Sequence, residues 1–338
     1  MDKTMVMNEG VSSSPSENGS TSEQEEPICP NCKEPLKPAP LSKGIYFCPS
    51  CGYVCDQAIE LNPGTVLMGK YRILKPLGAG GCSDIYLCHP LEDAGKRYVL
   101  KVLSDVTTPA SQQRFEREAK LLKMLTLPVI VQFIDYWTAP SGSYLIMEYV
   151  EGCTLVNIFD KYVIDEETTL QIALEVAKAL KFAWDMGKII HRDIKPSNIM
   201  ISDKMEVKLL DFGMGKRIEL ETADITANNA GLGTPKYMSP EQYNDAKNVD
   251  FRSDIYSLGI TMFYLLKKKS PISGKDIFEI YKDTVRNSPP PDAAFMGVCS
   301  SECASLIQHM MQLEPEKRPE SYDDLIGEIK DVLNQLSS

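Results

Sequence analysis

His191-Arg192-Asp193-Ile194-Lys195-Pro196-Ser197-Asn198, followed by a strand-like run at 207–210 and then Asp211-Phe212-Gly213, decides how this chain reads. Asn198 and Asp211 offer hard oxygen ligands of the kind Mg²⁺ takes. Asp193 offers a carboxylate that can face an attacking hydroxyl, and Lys195 a positive charge for developing phosphate charge. This is the residue set that metal-assisted phosphoryl transfer requires. A chance match to both stretches, in this order and spacing, is implausible.

Upstream lies Leu77-Gly78-Ala79-Gly80-Gly81-Cys82-Ser83-Asp84-Ile85-Tyr86, between two strand-like runs. Glycines let backbone approach phosphate oxygens closely. Alone such a turn is more often a plain hairpin. A dinucleotide fold would put a helix after the glycines, and here a second strand follows. The next strand, Tyr98-Val99-Leu100-Lys101, places a lysine behind the loop. Seventeen residues on, Glu118 falls in a segment of helical spacing and can orient that lysine.

Strand-like runs are expected at 71–77, 84–88, 98–103, 131–137 and 144–149, with a Pro-Ser-Gly-Ser turn at 140–143. Apolar residues at three- and four-residue spacing predict helices over 111–125, 166–184, 251–266, 301–312 and 322–336, with Asp165 as a cap for the second. A strand-rich half followed by a helix-rich half predicts two lobes, not one mixed sheet.

These residues resemble the eukaryotic-type protein kinase family, over roughly 70–338. The likeness continues through Gly233-Thr234-Pro235-Lys236-Tyr237-Met238-Ser239-Pro240-Glu241, Asp254-Ile255-Tyr256-Ser257-Leu258-Gly259 and Arg318-Pro319. The wording of 237–242 is similar to that of bacterial members. The resemblance implies an α+β, bilobal protein-kinase fold, with a small β-rich N-lobe carrying one helix and a larger α-helical C-lobe. It implies a serine/threonine protein kinase using ATP and Mg²⁺, with Mn²⁺ able to substitute, acting on protein substrates.

By the same resemblance Lys101 meets the α- and β-phosphates and pairs with Glu118, Asp193 orients the substrate hydroxyl, and Lys195 meets the γ-phosphate. Asn198 and Asp211 hold Mg²⁺. Leu77, Gly78, Gly80, Gly81, Ser83, Ile85, Val99, Met147 and the backbone of Glu148 and Val150 surround the nucleotide, with Met147 as gatekeeper. Glu241 and Arg318 pair as scaffold, and Asp254 braces the catalytic loop. Two positions depart from the family pattern: Ser83 replaces the third loop glycine and Val99 an alanine. Neither removes a catalytic group.

Lys195, two residues after Asp193, and Thr234 resemble the serine/threonine branch and not the tyrosine-specific one. Arg192 beside Asp193 calls for an anion, and Thr222 and Thr226, in the activation loop, are the best-placed phosphate acceptors. A pseudokinase scaffold, the alternative of a different class, would require loss of Lys101, Asp193, Asn198 or Asp211, and all four are present.

The 338 residues carry a net charge of −11. That balance argues against broad adhesion to nucleic acid or anionic membrane. The first 28 residues hold six acids and one lysine, so much of the excess lies there. Residues 1–26 are too poor in apolar surface to offset ordering entropy and are expected to be disordered. With no apolar leader and no run of some 18–20 apolar residues, the expected location is the cytoplasm, without a membrane span.

Ten cysteines in such a chain do not read as a disulfide framework. Cys29-Pro30-Asn31-Cys32 and Cys48-Pro49-Ser50-Cys51, with 15 residues between the pairs, predict a closed tetrahedral site for structural Zn²⁺ within a zinc-ribbon-like module at 27–58. Iron is a minor alternative on the same ligands, and Cys55 could substitute as one. The ribbon's partner is unknown from sequence. A linker is expected at 59–69 and the kinase-like domain at 70–338.

Overall fold

The computed structural model describes residues 34, 37–38, 45–47, 54–56, 61–80, 83–103, 116, 119–120, 122–139, 142–160, 162, 164–212, 235–244 and 249–337. The chain divides into two compact units, 1–59 and 60–338. In the first, β1 (Lys37–Pro38), β2 (Ile45–Phe47) and β3 (Val54–Asp56) form an antiparallel sheet in the order β1-β2-β3. Cys29, Cys32, Cys48 and Cys51 lie outside the described residues.

The second unit opens with a six-stranded antiparallel sheet in the order β4-β5-β6-β7-β9-β8. Its strands are β4 (Val66–Leu67), β5 (Tyr71–Gly80), β6 (Ser83–Pro90), β7 (Tyr98–Leu103), β8 (Phe133–Ala139) and β9 (Gly142–Glu148). Val66–Leu67 fall in the segment read as a linker; two residues are too few to display alternation, yet they pair with Arg72 and Tyr71. The sheet curls enough to bring β5 against the far strand β8: Tyr71 of β5 stacks on Trp137 of β8 at 6.2 Å, and its hydroxyl donates to Asp135 at 3.2 Å.

Strand pairing aligns the functional candidates. Lys101 lies opposite Ile85 on one side and Leu145 on the other, while Val99 lies opposite Leu87 and Met147. Cross-strand partners share a face, so Ile85, Val99, Lys101, Leu145 and Met147 line one side of the sheet. Helical residues 116, 119–120 and 122–124 fall within the helix expected before β8.

Among the described residues six helices follow: α1 (Glu166–Gly187), the short α2 (Pro240–Asn244), α3 (Arg252–Lys267), α4 (Ile277–Asn287), α5 (Ser301–Met310) and α6 (Tyr322–Leu336). Asp165 caps α1 by accepting from the Thr168 N–H at 2.8 Å. Leu170, Val176, Ala177 and Leu180 of α1 pack in one core with Ile255 and Leu258 of α3, Ile307 of α5 and Leu325 and Ile329 of α6. Each fully buried valine, leucine or isoleucine side chain there contributes about 1.5–3 kcal/mol. Trp184, Phe251 and Tyr322 pack in series as tilted ring pairs, tying α1 to the starts of α3 and α6.

Against this core lies a small sheet, β10 (Gly152–Thr154), β11 (Ile199–Ser202) and β12 (Val207–Leu209). It matters out of proportion to its size, because β11 begins where Asn198 ends and β12 runs into Asp211. Among the described residues no helix is long and apolar enough to cross a membrane.

Candidate active site

The stretch 191–198 is a loop held from below by a buried carboxylate. Asp254, in the first turn of α3 and fully buried, accepts the backbone N–H groups of His191 and Arg192, each at 2.7 Å. Burial pushes this carboxyl up to about 7, opposed by those two N–H bonds and by the charge of Arg192. Arg192 takes a left-handed φ of 66°, costly for a side-chain-bearing residue, and its carbonyl accepts from Gln242 at 3.1 Å. Such strain persists only where neighbours over-determine it. Asp254 and Gln242 supply that restraint.

His191 joins this loop to the end of β12. Its Nε2 lies 2.7 Å from the Leu210 carbonyl and its Nδ1 accepts the Asp193 N–H at 3.3 Å, a pattern that selects the Nε2–H tautomer. The ring also packs on Phe212 at 4.7 Å. A further bond from the Leu210 N–H to the Asn198 carbonyl, at 2.8 Å, closes the junction. Asp211 thus sits between two residues that are both fastened to the 191–198 loop. Its φ of 47° turns the chain sharply there, and its carboxylate reaches Lys101 Nζ at 2.9 Å.

Lys101, Asp193, Lys195, Asn198 and Asp211 therefore converge. Lys195 Nζ is 2.9 Å from Asp193, and the Asn198 amide nitrogen donates to the Asp193 carbonyl and carboxylate at 2.9 and 3.1 Å. With its N–H bonds directed at Asp193, Asn198 presents its amide oxygen as the remaining donor atom. That oxygen and the Asp211 carboxylate form a hard-oxygen set suited to a small divalent cation. The five side chains are buried or half-buried, so their charges interact through less water than surface pairs do.

Around them, Gly78 pairs with Ile85 and Gly80 with Ser83 at the tip of the β5–β6 hairpin, and Ile85 pairs in turn with Lys101. Val99 and Met147 face each other across β7 and β9, both half-buried, and Val150 is buried just beyond β9. Leu77 stays exposed at 42%. Behind Met147 an apolar pocket is lined by Leu122, Ile130, Phe133, Leu145, Leu209 and Phe212. Gly81, Glu118, Gly213, Thr222, Thr226 and Thr234 lie outside the described residues. The Glu241–Arg318 pair is formed, bidentate at 2.7 and 2.8 Å.

Sequence reasoning passed over Lys208, which joins β12 to Glu148, Gln132, which holds Glu148 from the other side, and Gln242, which holds Arg192. A lysine inside the short apolar run Val207-Lys208-Leu209-Leu210 was the one available signal. Gln242 stood within a motif that was read only for its glutamate.

Known proteins place the chain in a family. The protein kinase domain family matches residues 71–332. The serine/threonine-protein kinase pkn2 of Myxococcus xanthus is 32% identical over 81% of this chain and 34% of its own length. The serine/threonine-protein kinase PknB of Mycobacterium tuberculosis is 33% identical over 79% of this chain and 44% of its own. This chain spans well under half the length of those curated relatives. The crystal structure of Rad53 1-466 in complex with AMP-PNP superposes with a TM-score of 0.64 at 24% identity, covering 77% of this chain and 64% of that one. At that identity the likeness concerns the fold alone. The family match takes in both lobes and every element of the converging site, and the chain belongs to the protein kinase family.

Proposed function

We propose that this chain is a serine/threonine protein kinase that transfers the γ-phosphate of ATP to protein hydroxyls with Mg²⁺, or Mn²⁺ in its place. The observation that carries this reading is the 2.9 Å Lys101–Asp211 pair, because it ties the strand behind the glycine hairpin to the loop holding Asp193. Curated relatives named as serine/threonine-protein kinases support it.

In this mechanism the Leu77–Ser83 hairpin covers the phosphates with backbone. Ile85, Val99 and Met147 wall the base, and the backbone of Glu148 and Val150 meets its edge. Lys101, with Glu118 as its second carboxylate, holds the α- and β-phosphates. Asp193 aligns the substrate hydroxyl and receives its proton, while Lys195 offsets charge on the transferring group. Asn198 and Asp211 hold Mg²⁺, which when bound neutralises charge on the phosphate oxygens. Lys195 and Thr234 shape the acceptor side for serine and threonine. Ser83, small and polar in place of glycine, costs modest nucleotide affinity; Val99 narrows the base site.

Lys101→Met tests the reading. Removing one such charge donor is expected to lower turnover about 10²–10³-fold, read as radiolabelled phosphate incorporation into a generic protein substrate. Wild-type-like incorporation by that variant would count against the site.

Phosphate on Thr222 or Thr226, paired to Arg192, is the proposed activating modification. Replacing both by Ala is expected to lower turnover of enzyme whose phosphorylation has been verified by mass spectrometry. Unchanged turnover would end that proposal.

For the first unit we propose a structural Zn²⁺ held by Cys29, Cys32, Cys48 and Cys51. The pair spacing supports it, as do β1 and β2, which fall between the cysteine pairs, and β3, which follows the second. With so little apolar surface the module would owe its stability to metal. Elemental analysis of the full chain is expected to find a single zinc ion, lost in a Cys29→Ser/Cys32→Ser variant; iron, or no metal, would refute it. Unit boundaries near 27–58 and 70–338, the latter extended upstream to take in Val66–Leu67, an unknown partner for the ribbon and a cytoplasmic setting complete the reading.

A further inference from the structure

Lys208 of β12 belongs to the helical lobe, yet its Nζ lies 2.8 and 3.2 Å from the two carboxylate oxygens of Glu148, the last residue of β9 in the sheet lobe. Glu148 is fixed from the other side as well. Its carboxylate accepts the Gln132 N–H at 3.1 Å and its own N–H donates to the Gln132 carbonyl at 2.9 Å. The Gln132 side chain in turn donates to the carbonyls of Leu127 and Ile130.

One residue along β12, Leu209 donates to the Val129 carbonyl at 2.7 Å and accepts the Val131 N–H at 3.0 Å. Two residues further, Asp211 reaches Lys101. The lobes are thus sewn by consecutive ties: Lys208 to Glu148, Leu209 to 129–131, and Asp211 to Lys101. The outer two have matched spacing and opposite polarity. Lys208 and Asp211 are three apart; so are Glu148 and Leu145, the strand partner of Lys101. A three-residue slide of β12 against the sheet would set like charges together, and shorter slides would part both pairs, so the observed register is the one that satisfies them. Lys208 is 11% exposed and Glu148 30%, and a partly desolvated pair is costly to break from one side.

We propose that Lys208 is a positioning residue. Acting through Glu148, it locks the end of β9 to the strand that delivers Asp211, so the base end and the phosphate end of the nucleotide are held in one register. Lys208 itself touches no substrate. This inference rests on the kinase reading above.

Steady-state kinetics of the full chain, with ATP varied at saturating generic protein substrate, test it. Lys208→Met is expected to raise the KM for ATP about tenfold, within the range a contacting charged pair supplies, with kcat and the KM for the protein substrate little changed. Glu148→Gln should do the same, the double variant should add nothing further, and Lys208→Arg should restore the wild-type value. A merely structural role would lower the melting temperature and active fraction while leaving the KM for ATP in place. If Lys208→Met does not fold, Glu148→Gln carries the same readout, with Lys208→Arg as the variant that keeps the wild-type KM. An active wild type whose Glu148→Gln and Lys208→Met variants keep its KM for ATP, or whose single effects simply add, overturns the proposal. Absence of turnover in the wild type would instead sink the kinase reading, and this inference with it.

Discussion

Asp193→Asn is expected to lower phosphoryl transfer about 10²–10⁴-fold, the span associated with loss of a positioned general base. The substitution is nearly isosteric, so its effect should be chemical. Asp193 is held by Lys195 at 2.9 Å and by the Asn198 amide at 3.1 Å. An asparagine oxygen can still accept from Asn198, so the loop keeps its geometry. What disappears is the negative charge that orients the acceptor hydroxyl and takes its proton. The Lys195 charge is left without its carboxylate, but at 17% exposure it retains some water. Binding of a non-hydrolysable ATP analogue should therefore persist while incorporation of labelled phosphate collapses. Equal incorporation by variant and wild type would remove Asp193 from the mechanism. Collapse of binding and incorporation together would point to a folding defect.

How much of this was legible depended on the length of each pattern. The strands carrying Ile85 and Lys101 and the long helix from Glu166 were readable because alternation or three-and-four spacing extended over enough residues. Asp165 was readable because a cap is a local event. The strands at 152–154, 199–202 and 207–209 were harder: runs this short show little periodicity, and only the last was flagged. Yet they set where Asn198 and Asp211 lie. The helix Ile277–Asn287 was missed although Asp276 and Glu279 form a capping pair, Asp276 accepting the Phe278 and Glu279 N–H groups and Glu279 reaching back to Lys275. Ile277, Ile280, Tyr281 and Thr284 do stand at three- and four-residue spacing, but over only 11 residues, between stretches without pattern, the signal was passed over. Long-range charge pairs divide the same way. Glu241–Arg318 and the Asp254 brace came through resemblance, whereas nothing local in the sequence connects Lys208 to Glu148, 60 residues away.

Arg318→Ala is expected to cost about 3–5 kcal/mol, the penalty for breaking a buried ion pair from one side. That is a large part of the 5–15 kcal/mol typical of a domain. The Arg318 side chain is wholly buried and lies over the Tyr256 ring at 4.8 Å. All five of its N–H donors are used. Two go to Glu241, and the others to the carbonyls of Gln312, Arg252 and Leu313 at 2.8, 2.9 and 3.1 Å. One side chain thus joins α2, the start of α3 and the chain leaving α5. Truncation leaves Glu241 and three carbonyls short of a donor and opens a cavity beside Tyr256. Lysine offers three donors without the planar fork, so Arg318→Lys should rescue little. Urea unfolding reads both effects as a lower midpoint at unchanged slope. A further outcome separates pair energetics from packing. Removing both charges, as in Glu241→Leu/Arg318→Leu, should destabilise less than Arg318→Ala alone, because no buried carboxylate is then left behind. If Arg318→Lys unfolds at the wild-type midpoint, the forked geometry is not what holds these segments together. Because Gln242 is the residue next to Glu241 and bonds the Arg192 carbonyl, activity in Arg318→Ala should fall further than the folded fraction does.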